Sequence, residues 1–289
     1  MTMDELQVVL RARQFIREIG QNTVPCSVDG YITHVGGRLK TDSDLGADEA
    51  GYSLVANDKL IVVVNANDSN ERQRFTACHE LGHYILQLPS EHKTAPVWSF
   101  RGKPEGERHC DLFAAELLLP YTLFKPQVEQ IEFGFSAIQS LAADFEATLS
   151  ATGSRLAAVA PLPCAFVFSE AGKVRYASRS PRLRDANGWI TPRTSIPEDS
   201  ASFRARAGQQ ETEPAILEID DWFERINLDG EFFEAAIHLD KYDQTLTLIW
   251  CEDAEETRSG VIRQGKDDDD LLPELDGHLP WPGKSKRKP

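Results

Sequence analysis

His79-Glu80-Leu81-Gly82-His83 constrains this chain more than any other stretch. Two imidazoles four residues apart reach one ion only if the segment is a helix, where i and i+4 share a face. The sequence around them predicts that helix over 71–88. No proline occurs before Pro89, and Phe75, Cys78, Leu81, Ile85 and Leu88 recur at spacings of three and four as one apolar stripe. Asn67, Asp68, Ser69 and Asn70 supply N-cap candidates, and Glu71 suits the positive end of the helix dipole. Gly82 is a poor helix residue, so its place inside the motif points to close approach of another backbone or of a ligand. Glu80 stands beside both imidazoles, where a carboxylate can serve as base on a water that a metal activates.

A third metal ligand should come from a separate element and should be His, Asp or Glu. The next strong helical pattern runs near 105–119 and stops at Pro120. Leu112, Phe113, Leu117 and Leu119 are expected to face the core, with Glu107, Cys110, Asp111 and Ala114 on another face. Glu107 is the best candidate, with His109 and Glu116 as competitors. Read alone, it is equally a first-turn acid facing the helix dipole, and that is the plainer reading. Asp111, one turn on, is placed to hold a ligand imidazole by its second nitrogen.

The run RFTACHELGHYIL followed by ERHCDLFAAELLLP resembles the ImmA/IrrE family of metallopeptidases. Members share an FTxxHExxH helix and then an E-x-x-small-(Asn/Asp)-x-F-A-A-x-LLMP helix. The resemblance is specific over about 50–120, fair to about 160 and much weaker beyond. It implies that His79 and His83 are zinc ligands, that Glu107 is the third ligand, and that Glu80 is the catalytic glutamate. It implies a zincin-like fold and a regulatory zinc endopeptidase of narrow range. The implied substrate is a partner repressor with a helix-turn-helix of the XRE type, in a stress, DNA-damage or phage-defence response. Two positions depart from the pattern: Leu119 stands where methionine is common, and Cys110 where alanine is common. Cys110 follows Glu107 by three residues, on nearly the same helix face. It reads either as a latent fourth ligand that would displace the catalytic water, or as a small buried apolar side chain.

The remaining composition sets bounds. A chain of 289 residues is long enough for two domains. Its net charge of −15 argues against global attraction to nucleic acid or an anionic membrane. Five cysteines without a C-x-x-C pair suit a reducing compartment. No basic start leads into a long apolar segment, and Leu60–Val64, the most apolar run, is too short to span a bilayer, so a cytoplasmic protein with no membrane partner is expected.

Residues 1–120 read as an α+β metallopeptidase domain. A helix is predicted at 3–19, and strands at Tyr31–Val35, Tyr52–Ala56 and Leu60–Val64, the last two joined through Asn57-Asp58-Lys59. The 52–64 hairpin is the expected place for a substrate that pairs as an added strand. The loop 89–104 would border the cleft, with Trp98, Phe100 and Arg101 near substrate, or serve as a plain connection. Tyr84 and Tyr121 are candidate donors to an oxyanion.

Residues 121–160 read as a small helical unit, with helices at Ser136–Phe145 and Leu149–Val159 spaced like a helix-turn-helix. Only Lys125 and Arg155 oppose Glu129, Glu132, Asp144 and Glu146 there, so packing or docking is expected rather than DNA reading. Residues 161–264 read as an antiparallel sheet with helices on one side, with strands at Ala165–Ser169, Val174–Ser178, Phe232–Leu239 and Thr245–Trp250. By analogy with family members this part is expected to be a GAF-like sensor that gates the protease. It holds the chain's one basic concentration, with Arg175, Arg179, Arg182 and Arg184 near Tyr176 and Trp189. That patch suits an anionic ligand, single-stranded DNA as an activator being one possibility, or a solvated face. The tail 265–289 has the composition of a disordered segment. Two other classes stay open: a regulator that binds its repressor without cleaving it, and a nucleic-acid-sensing module on a zincin scaffold.

Overall fold

The computed structural model describes residues 4–46, 48–89, 104–209 and 211–256. The expectations for Trp98, Phe100 and Arg101 and for the tail 265–289 fall outside them. The chain opens with α1 (Glu5–Ile19) and α2 (Val28–His34), followed by β1 (Arg38–Asp42), β2 (Gly51–Ala56) and β3 (Lys59–Asn65). Five helices come next: α3 (Asn70–Leu86), α4 (Glu105–Leu118), α5 (Tyr121–Val128), α6 (Phe135–Phe145) and α7 (Leu149–Val159). Then come β4 (Cys164–Glu170), β5 (Lys173–Arg179), α8 (Pro181–Asp185), α9 (Ala201–Arg206), β6 (Glu211–Leu217) and α10 (Ile219–Trp222). The last strands are β7 (Leu228–Asp229), β8 (Phe232–Leu239), β9 (Gln244–Cys251) and β10 (Glu255–Glu256).

The first sheet has the order β1-β3-β2, with β1 parallel and β2 antiparallel to β3. Asn57 and Asp58 both take positive φ, 51° and 60°, which gives the two-residue turn that matches strand twist in a hairpin. Because β3 is central, β2 is an edge strand. Its residues 51, 53 and 55 pair with Val64, Val62 and Leu60, all buried, so their side chains share the face that α3 covers. Gly51 is required there: a Cβ would meet the Val63 carbonyl oxygen at 2.4 Å.

The strand expected at Tyr31–Val35 is a correction: those residues belong to α2. Ser27 caps that helix by accepting from the Gly30 amide, Asp29 lies in its first turn, and the adjacent Tyr31 and Ile32 are both buried. A two-residue apolar run carries no period, so local capping decides the outcome. The third strand of this sheet is instead the polar segment β1, which the hydrophobic pattern did not reveal.

α4 lies between α1 and α3. Both of its faces are therefore buried, Cys110 and Ala114 as fully as Phe113 and Leu117. Glu116, 2% exposed, ties this helix to its surroundings. It accepts from Arg13 Nε of α1 at 3.0 Å, from Arg155 of α7 at 2.6 Å and from the Tyr121 amide at 3.1 Å. A carboxylate this deep is tolerated because two guanidiniums and an amide replace its water.

The second sheet is antiparallel throughout, with the order β5-β4-β9-β8-β6. One face, through Phe166, Phe168, Leu248 and Trp250, joins the same core that holds α1, α3 and α4. α7 seals that face. A Cβ on its Gly153 would stand 2.2 Å from the Phe166 ring, so only glycine lets the helix lie this close. The other face carries a second cluster, including Val167, Leu183, Trp222, Phe223 and Ile249, with residues from α8 and α10. Helices therefore cover both faces, against the expected one side, because α7 turns its buried face to the sheet. β6 was not expected. It contains Pro214, and its pairing with β8 is irregular between Glu211 and Ala215, as an edge strand tolerates. Among the described residues no helix is long and apolar enough to cross a membrane.

Candidate metal centre

α3 is capped where the sequence placed its start: Ser69 accepts from the Arg72 amide, and the helix runs unbroken through the motif. Gly82 brings α4 against it. A Cβ on Gly82 would lie 3.3 Å from Cys110 Cα, 3.4 Å from its Cβ and 3.4 Å from the Phe113 ring. This close crossing sets the first turns of α4 beside the two histidines.

Three ligand-type groups converge there. The Nε2 atoms of His79 and His83 are 3.1 Å apart. Glu107 Oε2 is 3.1 Å from His79 Nε2, and Oε1 is 3.4 Å from His83 Nε2. Donors about 2.0–2.1 Å from a zinc ion stand about 3.3–3.4 Å from one another, so these separations, one Glu107 oxygen to each ring, are close to those that ligands of a shared ion require.

The far nitrogens fix the chemistry of the near ones. His79 Nδ1 is 2.9 Å from Asp111 Oδ1, and His83 Nδ1 is 3.4 Å from the Leu88 carbonyl oxygen. A carbonyl oxygen can only accept, and an ionised carboxylate likewise. Both Nδ1 atoms are therefore protonated, and both Nε2 atoms face the common centre, where each offers a lone pair when the ring is neutral. Two neutral imidazoles and a carboxylate at these distances would repel unless a positive charge lay among them. A divalent cation supplies that charge, and so does a proton. Burial disfavours the imidazolium of His79, but the hydrogen bonds to Asp111 and Glu107 outweigh it and push its pKa up to about 9. Glu107 is likewise opposed by burial but held well below the usual carboxylate range by its hydrogen bonds to His79 and His83.

Glu80 is 1% exposed, and Ser53 Oγ of β2 donates to its Oε2 at 2.7 Å. The sequence reading did not include Ser53; the only signal for it was its position in the strand expected beside the motif helix. His79, Glu80 and His83 by themselves also bring ligand-type atoms within 4.8 Å of one another. Glu107, however, places both of its oxygens on the Nε2 atoms, whereas Glu80 faces the strand. The donor set that fits a tetrahedral ion is thus His79, His83 and Glu107.

The competitors lie elsewhere. His109 is buried near Glu105, and Glu116 is held by its two arginines. Cys110 is fully buried at the helix crossing. Burial, then the carboxylates of Glu107, Asp111 and Glu80, push its thiol well above the ordinary range, which favours the neutral apolar form in the absence of a metal. Tyr121 lies under Arg13 and Lys125 in the α1–α5 corner. Tyr84, 39% exposed, shares the Glu80 face of α3.

The basic patch is engaged within the chain. Arg175 pairs with Glu170 at 2.7 Å, and Arg179 donates to the Gly188 carbonyl and lies 4.6 Å over the Trp189 ring. Arg182 donates to the Ala254 carbonyl and Arg184 to that of Arg179. Tyr176 stacks on Phe168 with centroids 5.2 Å apart, and Ser154 Oγ of α7 donates to its hydroxyl at 3.5 Å. The structure brings Arg179 and Trp189 together but directs Tyr176 into the core.

Residues 41–157 match the family model of the IrrE N-terminal-like domain, which describes a peptidase family. A solved structure of a Mycobacterium tuberculosis transcriptional regulator is similar in fold, with a TM-score of 0.56 and 16% identity, over 85% of this chain and 76% of that one. That likeness extends well past the family match, into the second sheet. No curated protein matches the chain.

Proposed function

We propose, from the premise that residues 41–157 of this chain belong to the IrrE N-terminal-like family of peptidases, that the protein is a zinc-dependent regulatory endopeptidase. Its substrate is a partner transcriptional repressor with an XRE-type helix-turn-helix, cleaved in a stress, DNA-damage or phage-defence response. The second half of the chain acts as the sensor that gates cleavage. The observation that carries the proposal is the convergence of the two Nε2 atoms and the Glu107 carboxylate within 3.1–3.4 Å, beside a buried Glu80.

His79, His83 and Glu107 would hold the zinc. When bound, the ion acidifies water and polarises a carbonyl. Asp111 holds the His79 ring in its required tautomer. Glu80 takes the proton from the attacking water and passes it to the leaving amine. Ser53, by donating to one carboxylate oxygen, fixes the direction in which the other receives that proton. The exposed edge of β2 holds the substrate backbone as an added strand alongside.

The test is co-expression with candidate XRE-type repressors, read by intact mass, for wild type and Glu80→Gln, with and without added single-stranded DNA. Cleavage by wild type alone is expected, and dependence on DNA would assign the sensor's ligand. A stable complex with no cleavage under either condition would replace the peptidase by a regulator that acts through binding.

A further inference from the structure

α9 is seated closely on the second sheet at its start and stands off it at its end. At the start, Glu234 is 2% exposed and accepts from the Ala201 and Ser202 amides and from Ser202 Oγ. Ala201 and Ala205 pack on Ala236 of β8, and side chains this small let the helix lie near the strands. At the other end a cleft of about 330 Å³ opens between the last turn of α9 and the β8–β9 hairpin. Phe203, Arg206, Ala207, His238 and Asp243 line it. That volume lies at the small end of the range for ligand sites.

The lining defines the kind of occupant. Phe203 and Ala207, four residues apart on α9, make one apolar wall, and the Phe203 ring is 42% exposed. At the rim Arg206 donates through Nε and Nη2 to the two oxygens of Asp243, at 2.8 and 2.9 Å. The charges of this planar pair cancel, yet it keeps guanidinium N–H groups and carboxylate lone pairs beyond those it uses. On the floor the His238 side chain is 8% exposed, with Nδ1 3.0 Å from Thr245 Oγ1. Its Nε2 has no hydrogen-bond partner among the described residues; the carboxylate oxygens of Asp240 and Asp243 stand 3.6 and 3.8 Å away. An enclosed polar nitrogen without a partner is costly, and on the wall of a cleft it is a group that a ligand satisfies. We infer that this cleft binds a small, neutral, planar molecule, an aromatic or heteroaromatic ring that carries a carboxamide. The ring stacks on Phe203, and the amide takes its hydrogen bonds from His238 Nε2 and the Arg206–Asp243 pair. A carboxylate or an ammonium finds no net charge in that pair to hold it. Neither the metal centre nor Glu80 enters this site, so the cleft and the peptidase reading stand or fall separately.

The test titrates the isotope-labelled full chain with nicotinamide and benzamide, and with benzoate, benzylamine and cyclohexanecarboxamide as charged and non-planar analogues. Binding is followed by backbone amide chemical shifts. The two planar amides are expected to shift Ala207, His238 and Asp243 saturably and to bind about fivefold or more tighter than the other three. Phe203→Ala should weaken them by a similar factor. Asp243→Asn leaves the Arg206 charge uncancelled and should turn the preference towards benzoate. Zinc content and the shifts of the first sheet should be those of wild type in both variants. Saturable shifts by no amide, shifts centred elsewhere, benzoate or benzylamine binding wild type as tightly as the amides, or a preference unmoved by both substitutions would each overturn the site.

Discussion

At the scale of single residues, the centre is governed by what each histidine does with its second nitrogen. Asp111 holds His79 at 2.9 Å, a shorter contact than the 3.4 Å between His83 and the Leu88 carbonyl. Removing the carboxylate should therefore loosen the more tightly oriented ring. Asp111→Ala is expected to weaken zinc about 10- to 100-fold in a competition assay against a chromophoric chelator, with the fold retained. Unchanged affinity would show that Asp111 orients nothing. Cys110 makes a different prediction. Its backbone forms the contact that Gly82 admits, and its side chain is fully buried between the two helices. Cys110→Ala should leave zinc content and basal cleavage as in wild type and lower stability by about 1 kcal/mol. A rise in basal cleavage would instead establish the thiol as a latch. His79, His83 and Glu80 were legible from spacing alone because an i, i+4 pair on a helix fixes its own geometry. Glu107 needed the family resemblance, since a first-turn acid carries no directional signal. Ser53 was hidden, because which strand residue meets Glu80 depends on register.

At the scale of elements, the position of α4 decides whether a metal site exists, and Glu116 holds that helix to α1 and α7. Glu116→Ala leaves two arginines without their buried partner. It is expected to lower unfolding stability by about 3 kcal/mol, read from urea unfolding of the zinc-free chain. A change under 1 kcal/mol would mean that the helix is positioned by packing alone. Helices with long apolar periods, α1, α3 and α4, were read from the sequence to within two residues at each end. α2 was misread as a strand because its apolar content is a short run without a period. β1 was missed because a polar edge strand shows no alternation. The sheet face covered by α7 was missed because Gly153 and the small residues around it look like a weak helix until Phe166 is seen to need the space.

At the scale of the whole molecule, the boundary read in the sequence between 160 and 161 is crossed by one of the core clusters. Cys164, Phe166, Leu248 and Trp250 belong to one cluster with Val8, Phe15, Leu81 and Phe113. Calorimetry of the metal-free chain should therefore show one transition, and a fragment ending at 160 should be insoluble or partly folded, having lost the sheet that α7 covers. Two separated transitions would contradict this continuity. The second sheet also packs on α7, and α7 reaches α4 through Arg155 and Glu116, so the proposed gating has a continuous path of contacts to act through.

The central claim is that His79, His83 and Glu107 hold the metal and that Glu80 stands outside that set as the base. Elemental analysis of purified wild type, Glu107→Ala and Glu80→Gln tests it directly. The account predicts about one zinc per chain in wild type and in Glu80→Gln, and little in Glu107→Ala. Zinc retained in Glu107→Ala but lost from Glu80→Gln would make Glu80 the third ligand and contradict both the centre and the chemistry proposed for it.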